Sequence, residues 1–395
     1  MVRQQSGDWR EQRFDFIFTG TGCAALSLLM RMIKCGRFSN SSILLIDKDR
    51  KVTNDRTWCF WEKGEGFFQE IICRQWDQLD FFGEEGQLYL NIKPYVYKMI
   101  RGIDLYNYCL NEIKKQANIV MIQGDVQQVL HDHGNAVIEI DNELWNGGNA
   151  IIFNSIYRTP QNKDGLIYLL QHFGGWLIES DRKAFDPHKG TLMDFRISQQ
   201  PGTGFVYTLP LSENRALVEY TLFTETLLDA HQYHEGLRTY IRDFLKIDVY
   251  EIQGEEFGII PMTNQVFDFY KGCVYNIGTA GGQTKPSTGY SFQFIQKQSQ
   301  RIVDCLMKNK SLQSLRRVPT RFQFYDTVFL RMLSGGKLSG VDIFSRLFAR
   351  NKASSIFRFL DNETSLAQEL RIIASLPTIP FLKAAVGELN VKCKI

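Results

Sequence analysis

Short apolar runs alternate with longer amphipathic stretches over the first 160 residues. Residues 14–19, "FDFIFT", form an aromatic-rich apolar run, the pattern of a buried strand. A glycine turn follows, then a helix-length segment ending near Gly36, then a second apolar run, "SSILLIDKD", that closes on Asp47 and two further polar residues. Strand, helix and strand in this order predict a βαβ unit. Residues 102–116 carry apolar positions at helical spacing, and "NIVMIQGDVQQVL", "AVIEIDNELW" and "AIIFNSIY" predict strands after them. From about residue 165 to 257 the period changes to alternation broken by turns, which predicts a mixed or antiparallel sheet with one helix at "EGLRTYIRDFL". "CVYNIG" predicts one more buried strand, followed by a glycine-rich loop and a helix from about Ser287 to Lys308. Beyond Leu315 the pattern is helical, with aromatic and basic residues mixed. No internal repeat or low-complexity stretch interrupts it.

The elements add up to an α/β fold. A Rossmann-like domain is expected from two separated segments, 13–160 and 258–310. A β-sheet domain is expected over 161–257, and a helical C-terminal region over 311–395.

Composition narrows the function classes. Apolar residues make up 44% and charged residues 23%, the balance of an ordinary globular chain. The net charge of +3 is too small to suggest a nucleic-acid partner. Phe is unusually frequent, with 29 residues, so large flat side chains either fill cores or face an apolar ligand. The charged start, "MVRQQSGDWREQR", does not read as a signal peptide, and no run approaches the roughly 18 apolar residues of a membrane span. The eight cysteines include no C-x-x-C pair, which reads as reduced thiols in a cytoplasmic protein. His131-x-His133 and His231-x-x-His234 have no Cys or acidic partner at ligand spacing, so no metal site is expected.

Two glycine loops carry the candidate chemistry. Gly20-Thr-Gly22-Cys-Ala-Ala25 fits G-x-G-x-x-G/A, with a strand before it, a helix after it and an acid, Asp47, ending the next strand. In that setting Gly20 makes the tight turn, Gly22 lets backbone approach a pyrophosphate, Ala25 allows close helix packing, and Asp47 receives a ribose hydroxyl. An ordinary βα turn is the plain alternative. The second loop, "YNIGTAGGQTKPSTGYSF", holds Gly278, Thr279, Gly281 and Gly282 and no acid. In flavoproteins of the glutathione-reductase superfamily a late strand, loop and helix cover the ribityl chain and flavin, usually with Gly-Asp-Ala where this chain reads Gly-Thr-Ala. Pro286 suits a first helical turn with Ser287 or Thr288 as cap, and a helix start there would favour an anionic flavin.

Taken with "NDRTWCFWE", "GTLMDFR", "FVYTLPLSENRALVEYTLF" and "GIIPM", these segments resemble the lycopene cyclase family over nearly the whole chain. The resemblance implies a glutathione-reductase/p-hydroxybenzoate-hydroxylase-like flavoprotein using reduced FAD, with NAD(P)H as electron donor. It also implies conversion of linear carotenoid ψ end groups, as in lycopene, to β-ionone rings. The family places a catalytic acid in a strand similar to Leu217-Val218-Glu219-Tyr220-Thr221. Glu219 matches its first acid, whereas Tyr220 replaces the second, which puts a two-carboxylate mechanism in doubt. Asp194 is a second candidate acid, or a partner of Arg196. Trp58, Tyr207 and Tyr220 are candidates for the substrate's surroundings, with core packing as the plain alternative. Arg101, Thr288 and Arg56 are candidates near the flavin, and Lys285 would face flavin charge or solvent. A hydrocarbon substrate implies peripheral contact with a membrane, for which residues 324–360 offer mixed apolar and basic side chains, with a helical part whose Phe residues fill its own core as the plain alternative. A flavin-dependent monooxygenase or prenyl reductase, and a non-catalytic carotenoid-binding flavoprotein, are the competing readings.

Overall fold

The computed structural model describes residues 9–392 except 133, 162–163, 316–319 and 336–338. A six-stranded sheet runs in the order Tyr270–Lys271, Val274–Asn276, Ile151–Asn154, Phe16–Thr19, Ile43–Asp47 and Ile119–Gln123. All its pairings are parallel except that of the short edge strand Tyr270–Lys271. Phe16–Thr19 is wholly buried because both faces of the sheet are covered, which explains its continuous apolar run. On one face pack the helices Cys23–Lys34, Gly102–Ile113 and Phe292–Met307. On the other lies a three-stranded antiparallel sheet of Val126–Asp132, Asn135–Ile140 and Glu143–Gly148.

A second, seven-stranded sheet has the order Tyr250–Thr263, Tyr168–Ser180, Arg215–Thr224, Thr203–Pro210, Lys189–Asp194, Gln78–Gly83 and Gly86–Asn91. The helix Ala230–Asp243 covers one face through Tyr233, Leu237, Tyr240 and Ile241. The opposite face meets a small sheet of Thr57–Lys63, Tyr95–Arg101 and Arg74–Trp76, together with C-terminal helices. Two boundaries expected from sequence pattern shift as a result. Gln78–Gly83 and Gly86–Asn91 join the large sheet although they lie within 13–160. The strand Tyr250–Thr263 also runs unbroken through the expected boundary at 257/258. Pairing partners far along the chain decide strand membership, and local pattern does not carry that information.

The C-terminal region folds as helices Thr320–Ser334, Gly340–Arg350, Ala353–Leu360, Leu366–Ala374 and Thr378–Lys392. Phe344, Phe348 and Phe357 are buried against the large sheet with Phe195, Phe205 and Phe223. The apolar residues of 324–360 are therefore mostly structural. The exposed apolar side chains lie further on, at Leu366, Leu370, Ile379, Leu382 and Val386. Among the described residues no helix is long and apolar enough to cross a membrane. No cluster of three or more His, Cys, Asp or Glu among them is placed to hold a metal, and His133 lies outside the described residues.

Candidate active site

Glycine loops from the two ends of the chain meet above the six-stranded sheet. Gly278 adopts φ +63°, and a Cβ there would stand 2.8 Å from the Ala24 Cβ in the first turn of the helix Cys23–Lys34. Only glycine serves such a position, for both the backbone angle and the contact. Gly22 caps that helix without a side-chain hydrogen bond, and the space over its Cα is open. The helix N-terminus thus presents free N–H groups to an open cradle, the arrangement that receives a pyrophosphate. Asp47 anchors the loop from the next strand: its Oδ2 accepts the Thr21 N–H at 2.5 Å and hydroxyl at 2.8 Å, and Lys51 lies 3.5 Å away. Ala25 is buried within the helix packing.

Residues 278–281 form one 3-10 turn, closed by Gly282 in the left-handed region. Thr279 bonds to Thr284 at 3.1 Å. The helix after the loop begins at Phe292, five residues later than Ser287. Residues 285–290 instead make a tight turn, in which Lys285 O accepts the N–H of Gly289 and Lys285 N donates to Tyr290 O. Neither Ser287 nor Thr288 caps the helix. Ser287 Oγ donates to Asp326 at 2.7 Å, and buried Lys285 pairs with Asp326 at 2.9 Å and donates to Asn362 at 2.7 Å. Lys285 is therefore withdrawn from solvent, its charge met by Asp326. Thr288 Oγ1 and Trp58 Nε1 are buried polar atoms with no partner in the protein. Such atoms are rare in a closed core and mark places where a ligand supplies the missing partner. The open cradle and the orphan atoms fit a bound dinucleotide.

Arg101 caps the helix Gly102–Ile113 but is exposed, held by Asp104 through contacts of 2.6 and 2.7 Å. Arg56, paired with Asp55 at 2.7 Å, acts electrostatically on Cys23 beside the first glycine loop, as does Arg31. Trp58 turns away from the large sheet and packs 6.0 Å from the Phe292 ring. Its neighbours in sequence, Thr57 and Cys59, point the other way, towards the large sheet.

There the register lines up four residues across four strands. Glu256 opposes Gly175, Gly175 opposes Glu219, and Glu219 opposes Tyr207. Directly opposed residues share a sheet face, so both carboxyls rise on the face turned towards Thr57 and Cys59. Glu219 Oε1 accepts the Thr221 hydroxyl at 3.0 Å, and Glu256 Oε2 accepts the Thr57 hydroxyl at 2.7 Å. Both glutamates are half-buried, surrounded by protein yet keeping some accessible surface. Burial and the Glu256 charge push the Glu219 carboxyl well above the usual carboxylate range. Burial also raises Glu256, against the lowering effects of Thr57 and of the Glu219 carboxyl. Both carboxyls are thus raised, chiefly by burial, and each lies under the influence of the other.

Tyrosines line the same face. Tyr207 and Tyr290 hydroxyls lie 3.3 Å apart, and Tyr97 also bonds to Tyr290. Trp61 packs edge-on against Tyr290 at 4.4 Å. Two candidates fall on the far face. Tyr220 opposes Val206 and Gly174 and packs under the helix Ala230–Asp243 against Gly236, so it does not adjoin the carboxyls. Asp194 is fully buried on that side as well, held by Arg196 at 2.6 Å and by the Tyr240 hydroxyl at 2.8 Å. It is an ion-paired structural residue and is withdrawn as the acid. Glu256 escaped sequence reading because its strand shows no acid motif. It stands beside Glu255 in the strand, and local alternation does not point to a partner 37 residues earlier.

Comparison with known proteins bears on family and fold. Residues 15–386 match the sequence profile described as lycopene cyclase protein. A lycopene beta-cyclase of Pseudescherichia vulneris is 25% identical over 95% of this chain and 97% of its own. Another from Pantoea ananas is 28% identical over 49% of this chain and 53% of its own. Among solved structures, a geranylgeranyl bacteriochlorophyll reductase-like protein of Thermoplasma acidophilum superposes with a TM-score of 0.65 at 13% identity, covering 94% of this chain and 98% of its own. A flavoprotein/dehydrogenase of Cytophaga hutchinsonii gives 0.60 at 11% identity, covering 95% and 100%. The fold is thus that of the FAD-dependent flavoproteins, and with a profile match across nearly its whole length the chain belongs to the lycopene cyclase family.

Proposed function

We propose that this chain is a lycopene β-cyclase that closes linear ψ end groups to β-ionone rings by acid–base chemistry with no net redox change. The observation that carries the reading is the placement of Glu219, opposite Tyr207 on the sheet face that also meets Tyr290 and Glu256, where burial raises its carboxyl above the usual range. Protonating an alkene requires a strong donor in a dry site, because water would level the acid and capture the cation. Glu219 delivers its proton to the terminal double bond. The resulting tertiary cation is attacked by the next double bond of the same end group, and the ring then loses a proton. The π faces of Tyr207 and Tyr290 border the positive charge. The loops at Gly20–Ala25 and Gly278–Gly282, with Thr288, would hold FAD. Bound in its reduced, anionic form, with NAD(P)H as electron source, FAD would supply negative charge that favours the cation.

We further propose that the chain draws its hydrocarbon substrate from a lipid surface through the helices Leu366–Ala374 and Thr378–Lys392. Their exposed apolar side chains support this, and so does the placement of their acids. Glu369 and Glu388 both turn inward, paired with Arg321 and Arg331, while Arg371 and Lys383 stay outside. An apolar face edged by cations suits an anionic bilayer.

Expression in a lycopene-accumulating host tests the cyclase reading. The wild type should turn pink pigment yellow. Glu219→Gln should lower ring formation by at least about 100-fold, the scale of a general acid, while retaining flavin. Unchanged pigment with the wild type refutes the reading.

A further inference from the structure

The large sheet holds a second carboxyl that the proposed acid alone does not use. Neighbouring strands lie about 4.8 Å apart, so Glu219 and Glu256, separated by the strand Tyr168–Ser180, have backbones roughly 10 Å apart. Their side chains meet only because the residue between them is Gly175. A Cβ on Gly175 would lie 3.0 Å from Glu256 Cγ and 3.4 Å from its Oε1. Glu256 Oε1 is itself a buried atom without a donor, and it adjoins the Glu219 carboxyl. One proton held between the two carboxyls satisfies it. Thr57 fixes the other oxygen at 2.7 Å, so the Glu256 carboxyl is oriented from both sides.

We propose that Glu256 is the base that ends the reaction, and that it forms with Glu219 a proton-sharing pair that restores itself after each ring. This rests on the cyclase reading above. The steps balance without an external acid, base or electron carrier. The Glu219 O–H bond breaks as a C–H bond forms at the inner carbon of the terminal double bond, leaving a cation on the dimethyl carbon. The second double bond forms the C–C bond of the ring and moves the charge to the methyl-bearing carbon. The C–H bond at the new ring-junction carbon then breaks, its electrons become the ring double bond, and its proton forms an O–H bond on Glu256. That proton passes across the shared hydrogen bond to Glu219, and the starting state returns. The fixed position of Glu256 also selects which proton leaves, and so which ring isomer forms. The groups facing the pair are Asp55, Arg56 and Cys59 from the small sheet and its approach, Tyr207 from the adjoining strand, and Tyr290 from the turn beyond the glycine-rich loop.

The test uses the purified full chain, loaded with FAD and reduced, with lycopene in phospholipid vesicles. Glu256→Gln should bind flavin normally and lose at least about 100-fold in ring formation. Its residual product should be enriched in rings whose double bond lies elsewhere, and Glu256→Asp should restore part of the rate and most of the β isomer. The wild-type rate should rise with pH as Glu256 ionises and fall as Glu219 loses its proton, and Glu256→Gln should lack the rising limb. Gly175→Ala keeps both carboxyls but pushes them apart, and should reduce rate and β selectivity together. A Glu256→Gln variant that keeps the wild-type rate overturns the proposal. So does one that slows with unchanged isomer ratio and pH profile, because that is a merely structural effect. A wild type inert towards lycopene overturns the cyclase reading itself, and the proposal with it.

Discussion

At the scale of single residues, environment separates groups that look alike in sequence. Asp194 and Glu219 both sit in apolar strands, yet one is neutralised by Arg196 and the other, among the described residues, has no cation at contact distance. Sequence alternation placed Glu219 with Leu217 and Thr221, and the structure has them on one face. It could not place Glu256, because opposition across Gly175 depends on how three strands pair. His172 shows a structural use of burial. It is fully buried between the Tyr233 and Thr224 hydroxyls, both at 2.6 Å, and desolvation lowers it to about 4. An unfolded histidine titrates near about 6.5, so the unfolded chain binds this proton first. Stability should therefore be full above about pH 6.5 and decline as pH falls towards about 4. Urea titrations across that range should show the decline, and a less steep one in His172→Asn.

At the scale of elements, the glycine loops and the strands leading into them were legible because Gly and apolar runs mark local geometry. The start of the helix Phe292–Met307 was not. Pro286 and two hydroxyl residues look like a helix start, but Lys285 and Ser287 are drawn away to Asp326 on a later helix, and the chain turns once more before the helix begins. That buried pair joins two regions distant in sequence. Lys285→Met should cost about 3–5 kcal/mol by leaving Asp326 buried and unpaired, and adding Asp326→Leu should recover much of the loss. Chemical denaturation of the single and double variants measures both. The C-terminal helices form a second legible element with a misread surface. Their composition suggested lipid contact at 324–360, but packing turns those aromatic residues inward and leaves Leu370 and Ile379 64% and 68% exposed. Leu370→Asp with Leu382→Asp should weaken sedimentation with anionic vesicles several-fold and spare flavin content. Unchanged co-sedimentation would count against that face as the lipid contact.

For the whole molecule, fold and family were readable from the order of elements and from motifs at both ends of the chain. The paired carboxyls were not, since they exist only once the large sheet and the small sheet close on each other. Thr57, from the small sheet, reaches Glu256 on the large one, and Tyr290, from the glycine-rich segment, reaches Tyr207. The surroundings of the paired carboxyls therefore come from different parts of the chain. Lys285 carries this interdependence further. The bend between the second glycine loop and its helix hangs from Asp326 and Asn362, side chains that follow both glycine loops along the chain. A polypeptide cut between the second loop and Asp326 has every residue of both turns and still lacks the hook that holds one of them in place.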